Sequence, residues 1–357
     1  MKTEPAKLKI RVDAHEFRAR LLGWYGAHAR RLPWRRDRDP YRVWLSEIML
    51  QQTRVAAVIE HYHEFLRRFP TVEKLAAARE ASVLAAWSGL GYYRRARLLH
   101  AAAKVVTRKL GGKFPATADG LLALPGIGRY TAAAVASIAF GEPVAVVDGN
   151  VERVLQRISG RRLSGEQLWN AAEELLDREQ AGDFNQAMME LGATLCTPRA
   201  PSCLTCPVVE LCATRGELVD TQKTAPQKKR EVHYALHFRD TDGSNGKVFL
   251  VQRERDASLM AGMWELPEVG LGADEKRVPR FARKDKGNKS NQKDDGRATP
   301  LFVVRHSITV TDYTVRVWRG AAPSAISGQW APVERLSRLP LTGLARKILR
   351  KAEILRD

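Results

Sequence analysis

The sequence predicts a mainly α-helical N-terminal domain followed by an α+β C-terminal domain. Apolar residues recur three and four positions apart up to about residue 213, which is the spacing that places them on one face of a helix. Beyond about residue 230 the pattern changes to short β-like runs. With 357 residues, 44% of them apolar, the chain is long enough for two domains with separate cores.

The helical domain is predicted from seven segments with this spacing. They cover residues 12–29, 41–66, 92–110, 127–140, 149–158, 166–178 and 184–195. The periodicity is lost at 214–230, where Thr, Gln, Lys and Pro accumulate, so this stretch is predicted to be a linker. We therefore place the helical domain at 1–213 and the second domain at 231–357.

The second domain is predicted to combine strands with one helix. The β-like runs cover 232–238, 247–252 and 301–318, and an amphipathic helix follows at 341–355 with Leu344, Ile348, Leu349 and Leu355 on a common face. Residues 271–300 contain Lys, Asp, Gly, Asn and Ser with almost nothing apolar to bury. We expect a disordered insertion there.

The charge of the chain points to a polyanionic partner. The formal net charge is +19, which favours nucleic acid. The first ten residues hold no apolar stretch, and the most apolar long segment, 130–147, is interrupted by Gly141, Glu142 and Pro143. These features argue against a signal peptide and a membrane span, so we expect an intracellular, cytoplasmic protein associated with the nucleoid.

The four cysteines of the chain lie close together after a predicted helix. Gaps of six, two and five residues separate Cys196, Cys203, Cys206 and Cys212. A loop this short can surround a polynuclear iron–sulfur cluster with thiolates. A structural zinc site is the first alternative, and disulfides are the second, although nothing marks a secreted chain.

A glycine-containing turn at 124–131 is predicted to be a hairpin between two helices. Gly126 and Gly128 allow left-handed turn geometry, so that backbone amides at the start of the next helix can converge on a phosphate oxygen. A plain interhelical turn explains the same glycines.

Two carboxylates have the pattern expected for glycosidic bond cleavage. Glu47 shares a predicted helix face with Val43, Trp44 and Leu50, so partial burial would raise its pKa and make it a proton donor. Asp148 follows an apolar run and opens a helix, where it could stay ionised and stabilise a positively charged sugar. The alternatives are a surface glutamate and an ordinary N-cap.

Six motifs together resemble the MutY-type adenine DNA glycosylases of the helix-hairpin-helix superfamily. They are 46–53, 89–93, the hairpin with Gly126 and Gly128, 147–154, 184–192 and the cysteine loop. The resemblance covers about residues 15–213. The second half is similar to that family's Nudix-like C-terminal domain more weakly, and it lacks the acidic run of a working Nudix hydrolase, so we expect a module that recognises the opposite base.

The resemblance implies a base excision repair enzyme with a [4Fe–4S] cluster on the four cysteines. Glu47 would protonate the flipped adenine, and Asp148 would stabilise the oxocarbenium ion, with Asn150 orienting the carboxylate or the water. The implied substrate is double-stranded DNA with adenine opposite 8-oxoguanine or guanine, and we expect a monomer.

The resemblance also implies DNA-contacting residues. Arg30, Trp34, Arg35 and Gln186 correspond to the family's base pocket, and Gln52 and Tyr92 to the side chains that enter the stack left by the extruded base. Ordinary core packing is the alternative for Trp34 and Tyr92.

Tyr130 distinguishes this chain from its nearest enzyme alternative. Endonuclease III-like relatives carry a lysine there, whose amine forms a Schiff base and cuts the strand, whereas a phenol cannot form that imine. Tyr130 could instead hydrogen-bond at the sugar or Asp148. The sequence thus favours base removal without strand cleavage over a bifunctional glycosylase/lyase, and over a non-catalytic DNA-binding protein.

One loop departs from the family pattern. Where the family carries Phe-Ser-His to probe 8-oxoguanine, this chain has Ile308, Thr309 and Val310. The hydroxyl survives on Thr309, but the imidazole is lost, so we expect retained but reduced discrimination between 8-oxoguanine and guanine. His306 could compensate from the other side of the loop.

Overall fold

The chain forms two compact units in the computed structural model. Residues 1–77 and 98–223 make up the first, and residues 78–97 and 224–357 the second. The structure describes residues 12–218, 228–239, 246–257, 259–269, 299–308, 311–320 and 327–355. The sequence did not predict that 78–97 belongs with the C-terminal part of the chain.

The predicted insertion at 271–300 lies outside the described residues except for its last two positions. Within the part of the chain that the structure describes, no helix is long and apolar enough to cross a membrane.

The first unit is helical, as predicted. The helices of the N-terminal part of the chain are α1 (Ala14–His28), α2 (Pro40–Leu50), α3 (Val55–Arg68), α4 (Val72–Ala77), α5 (Glu80–Ala86), α6 (Arg94–Lys109), α7 (Ala118–Leu122), α8 (Arg129–Phe140), α9 (Gly149–Ser159), α10 (Glu166–Leu175) and α11 (Ala181–Thr194). Of these, α5 lies within 78–97 and therefore belongs to the second unit, and α6 begins there.

Two central helices carry predicted site residues. In α8 every residue from Thr131 to Ile138 is buried, and four of them are alanines, which lets α2, α7 and α11 pack closely around it. Helix α2 buries all but three of its eleven residues, and Glu47 is among the buried ones. Side chains on the facing sides of α2 and α8 therefore meet away from bulk solvent.

The single helix predicted at 41–66 is wrong, because the chain breaks between α2 and α3. Gln52 has φ of +56° in this break. A left-handed conformation costs a non-glycine residue about 1–2 kcal/mol. No glycine or proline marks the break in the sequence, which explains why periodicity alone missed it.

The second unit combines strands with helices. Its strands are β1 (Lys228–Leu236), β2 (Phe238–Arg239), β3 (Lys247–Gln252), β4 (Trp264–Glu265), β5 (Phe302–Ile308), β6 (Thr311–Arg319) and β7 (Gln329–Pro332), and α12 (Gly343–Lys351) follows them. Strand β6 lies between β1, which is parallel to it, and β5, which is antiparallel. Strand β3 pairs antiparallel with β2, β4 and β7.

The core of the second unit agrees with the predicted helix face. Leu344, Ile348, Leu349 and Leu355 are buried against strand residues such as Val315. The predicted strand 301–318 is instead the antiparallel pair β5 and β6, and β1 begins three residues inside the predicted linker. Thr309 and Val310, between β5 and β6, lie outside the described residues.

Candidate active site and cysteine loop

A pocket of about 530 Å³ in the first unit brings together most of the predicted site residues. Its wall includes Arg30, Trp34, Arg35, Glu47, Gln52, Tyr130, Asp148, Asn150 and Gln186. They come from five separate stretches of the chain, so only the packing of the helices assembles them.

Glu47 lines this pocket and is 6% exposed. Burial raises the pKa of its carboxyl to about 7, and the charge of Asp148 acts in the same direction. The hydroxyl of Tyr130 donates a 2.6 Å hydrogen bond to Glu47 Oε2, which lowers that pKa, although burial outweighs it. Glu47 can therefore hold or release a proton near neutral pH.

Tyr130 stays a neutral phenol in this setting. Burial and the nearby charges of Glu47 and Asp148 raise its pKa well above the usual value. Its hydroxyl also lies 3.2 Å from Met189 Sδ, a second and weaker acceptor.

Asp148 is the N-cap of α9 and a pocket residue at once. Its Oδ1 accepts hydrogen bonds from the backbone amides of Asn150 and Val151, at 2.9 and 2.8 Å. Its Oδ2 accepts from Asn150 Nδ2 at 2.9 Å. Three N–H donors at the start of α9 thus fix the position of this carboxyl group. The N-cap alternative and the catalytic hypothesis describe the same geometry.

Arg153 fixes Asn150 from the other side. It donates to Asn150 Oδ1 at 2.8 Å and to the carbonyls of Cys196 and Gly192 at 2.7 and 2.6 Å. Helices α9 and α11 approach closely here, because a Cβ on Gly192 would lie 2.6 Å from the Asn150 Cβ. The amide of Asn150 is therefore held at both ends.

A buried ion pair network forms another wall of the pocket. Glu190, 1% exposed, accepts from Arg30 Nε at 2.6 Å and from Arg35 Nη2 at 2.9 Å. Burial alone would raise the pKa of Glu190, but the two guanidinium groups hold it below its usual value. The guanidinium of Arg35 also lies 5.4 Å from the ring centroid of Tyr25.

The four cysteines line one small pocket after α11. Arg157 and Arg215 lie in the same wall. Arg157 Nη1 donates to Cys196 Sγ at 3.3 Å, and the Arg215 amide donates to Cys212 Sγ at 3.4 Å. Burial raises the pKa of the Cys206 thiol to about 11. Among the described residues, no three His, Cys, Asp or Glu side chains are placed to hold a single metal ion.

The predicted hairpin joins α7 to α8, and its two glycines do not line the pocket that contains Glu47. Gly126 has φ of +75°, and a Cβ there would lie 2.5 Å from the Leu98 Cβ, so glycine is required. The left-handed conformation predicted for Gly128 is wrong. Gly128 is extended, with φ of −94°, and it is the N-cap of α8.

Two family models match the chain. A model for the HhH-GPD superfamily base excision DNA repair proteins matches residues 45–177, and a NUDIX domain model matches residues 238–351. Adenine DNA glycosylase from Homo sapiens is 40% identical over 312 residues, which are 71% of this chain and 57% of that protein. The Schizosaccharomyces pombe adenine DNA glycosylase is 32% identical over 328 residues, covering 73% of this chain and 71% of that protein. The chain belongs to the adenine DNA glycosylase family.

The likeness to family members extends over much of the chain but not over all of theirs. The chain spans 57% to 61% of the lengths of the human, mouse and rat relatives. A solved structure of a thermostable thymine-DNA glycosylase matches with a TM-score of 0.54 and 33% identity, covering 57% of this chain and 96% of that one. This match and the HhH-GPD model confirm the helix-hairpin-helix glycosylase fold, and the NUDIX domain model confirms the Nudix-like C-terminal domain.

Two of the site residues that the family resemblance implied are not found in this pocket. Tyr92 does not line the pocket and belongs to the second unit, and Thr309 lies outside the described residues. The sequence analysis missed Glu190, although this residue lies within the family motif at 184–192. Its signal was a charged residue flanked by apolar neighbours in α11, which indicates a buried and therefore paired carboxylate.

Proposed function

We propose that the protein is a monofunctional DNA glycosylase that hydrolyses the N-glycosidic bond of adenine opposite 8-oxoguanine or guanine. One observation carries the proposal: a buried carboxyl, Glu47, whose pKa is about 7, and a hydrogen-bonded carboxylate, Asp148, share one pocket with Tyr130. Two carboxyl groups in such different environments can divide acid and electrostatic roles between them.

Glu47 would act as the general acid. A neutral adenine is a poor leaving group until it is protonated, and a carboxyl with a pKa near the working pH gives the proton most effectively. Base flipping would deliver the adenine into the pocket, at a cost of a few kcal/mol of stacking. Arg30, Arg35 and Gln186 would contact the extruded base or its sugar.

Asp148 would stabilise the sugar once the base begins to leave. The bond to the base breaks with its electron pair moving to the base, so positive charge develops on the sugar ring. Asn150 would hold Asp148 Oδ2 in place, and either Asp148 or Glu47 would accept the proton of the attacking water. A mechanism of this kind needs no amine, in agreement with a phenol at position 130.

We also propose that Cys196, Cys203, Cys206 and Cys212 hold a [4Fe–4S] cluster. The donor set supports this assignment, since the four cysteines line a single pocket and at least two of their sulfurs accept N–H hydrogen bonds. When bound, the cluster would cross-link the loop and hold basic residues against DNA phosphates. The catalytic steps above involve the pocket residues alone.

Strand breakage in labelled duplexes tests the proposed function. The target base would be adenine opposite 8-oxoguanine, adenine opposite guanine, or thymine opposite guanine, with adenine opposite thymine as the control. We expect breakage after alkali for the first two duplexes only. Breakage without alkali would indicate a lyase, breakage of the thymine–guanine duplex alone would indicate a different base specificity, and no breakage would indicate a DNA-binding protein.

A further inference from the structure

The loop that carries Tyr92 is packed against C-terminal residues. It comprises residues 88–93 and lies between α5 and α6, and it belongs to the second unit with the chain from 224 onward. Helix α5, which leads into it, contacts the short helix Val333–Arg338.

A buried hydrogen-bond chain joins this loop to the start of α12. Arg346 Nε donates to Ser88 Oγ at 3.0 Å, and Ser88 Oγ donates to the Leu341 carbonyl at 3.1 Å. The hydroxyl of Tyr93 donates to the same carbonyl at 3.0 Å. Ser88, Tyr93 and Leu341 are at most 5% exposed, so these bonds form away from competing water.

The acceptor of these bonds is itself held in place. The backbone of Thr342 donates to the Trp264 carbonyl at 2.9 Å, and Trp264 donates to the Pro340 carbonyl at 2.9 Å. Thr342 also N-caps α12 through Ala345. The carbonyl of Leu341 therefore presents a fixed point to the loop.

The loop needs such support because its backbone is strained and its tip is exposed. Tyr92 has φ of +46° and follows Gly89 and Gly91, which have φ of +112° and +70°, and Tyr92 is 44% exposed. A left-handed tyrosine persists only where its surroundings hold it. The Arg95 guanidinium lies 5.5 Å from the ring centroids of both Tyr92 and Trp87, which steadies the exposed ring.

We propose that Arg346, Ser88 and Tyr93 are positioning residues through which the C-terminal segment 340–346 fixes the loop that presents Tyr92 to DNA. This inference rests on the proposed function and on the expectation, implied by the family resemblance, that Tyr92 enters the base stack as adenine is extruded. The role goes beyond recognition of the opposite base, since it gives the C-terminal segment a part in extrusion itself.

Hydrogen–deuterium exchange tests the positioning claim without DNA. In Arg346→Met and in Tyr93→Phe, the amides of Leu90 and Arg95, which now bond to the carbonyls of Trp87 and Tyr92, should exchange faster than in the parent. Arg346→Lys keeps a donor and should exchange more slowly than Arg346→Met. Arg350→Met, an exposed arginine of the same helix, is the matched control and should leave the loop unchanged.

Stopped-flow fluorescence of 2-aminopurine at the target position tests the consequence for extrusion. We expect about three- to tenfold slower extrusion in Arg346→Met and in Tyr93→Phe, the size of one lost hydrogen bond. In a Tyr92→Ala background Arg346→Met should add nothing, because both changes act through one ring. Tyr93→Phe removes a single oxygen and gives the same comparison if Arg346→Met fails to fold.

Two results would overturn the positioning inference, and a third would overturn the proposed function. Parent-like exchange and extrusion in Arg346→Met and Tyr93→Phe would overturn the inference. Fully additive effects of Arg346→Met and Tyr92→Ala would overturn it as well, since they would show action by another route. A parent protein that neither extrudes nor removes the base would instead overturn the proposed function, and the exchange result alone would then decide whether the segment holds the loop.

Discussion

Tyr130 at the start of α8 donates a 2.6 Å hydrogen bond to Glu47 near the end of α2. Both side chains line the same pocket, and Glu47 is 6% exposed. The bond favours the ionised carboxylate while burial favours the neutral acid, and the balance leaves the pKa of Glu47 at about 7. Glu47 can therefore gain or lose a proton near neutral pH.

Tyr130→Phe should shift the pH dependence of base removal. Without the phenol the pKa of Glu47 rises further, because the hydrogen bond that favours the carboxylate is lost. The proposed mechanism requires protonated Glu47. The alkaline limb of the pH–rate profile should therefore move to higher pH, even as the maximal rate falls. Single-turnover rates between about pH 5 and pH 9 measure the limb. An unmoved limb would show that Glu47 is not the titrating acid.

Glu47→Gln should stabilise the fold at alkaline pH. The folded-state pKa of about 7 lies above the ordinary glutamate value of 4.5, so the neutral carboxyl contributes stability that is full below pH 4.5 and lost as pH rises through 7. Glutamine cannot ionise, so this loss of stability does not occur, and its carbonyl oxygen can still accept the hydrogen bond from Tyr130. We expect a gain on the order of 1–3 kcal/mol near pH 8 and little near pH 4. Urea midpoints at both pH values measure it, and equal shifts at both would contradict the buried-acid assignment.

Tyr130→Lys should gain strand-cleaving activity. A lysine there would bring an amine into the pocket with Asp148, where it can attack the sugar carbon and form an imine that borohydride traps. Denaturing gels after borohydride treatment would show the covalent adduct, and Tyr130→Phe serves as the control that lacks an amine. A variant that still removes adenine yet never forms an adduct would show that position 130 does not face the sugar.

Cys203→Ser should lose its iron and its DNA affinity. Purified parent protein should be brown and contain about four iron atoms and four sulfides per chain, whereas the serine variant should be colourless. Ser202→Ala, the neighbouring substitution, should keep colour, iron and affinity. Colourless parent protein that contains zinc and binds DNA normally would contradict the cluster assignment.

Local sequence patterns predicted most of the longer helices and the settings of the two carboxylates. The apolar neighbours of Glu47 along α2 predicted its burial, and the apolar run before Asp148 predicted the start of α9. Both inferences depend on residues within one helical turn, where sequence spacing and spatial distance coincide.

Long-range and strained features could not be predicted in this way. Glu190 meets Arg30 and Arg35 from about 160 positions away, and nothing in the local pattern specifies those partners. Gln52 and Tyr92 adopt left-handed conformations that only tertiary packing sustains, so neither the break after α2 nor the placement of the Tyr92 loop in the second unit has a local signal.

Single-turnover removal of adenine opposite 8-oxoguanine by Asp148→Asn tests the central claim most directly. Asparagine can still cap α9 through its carbonyl oxygen, so the fold and DNA affinity should be retained while the negative charge beside the sugar is lost. We predict a fall in rate of about 10²-fold or more, with a dissociation constant within about threefold of the parent. A rate near that of the parent would contradict the assignment of Asp148 and the mechanism built on it.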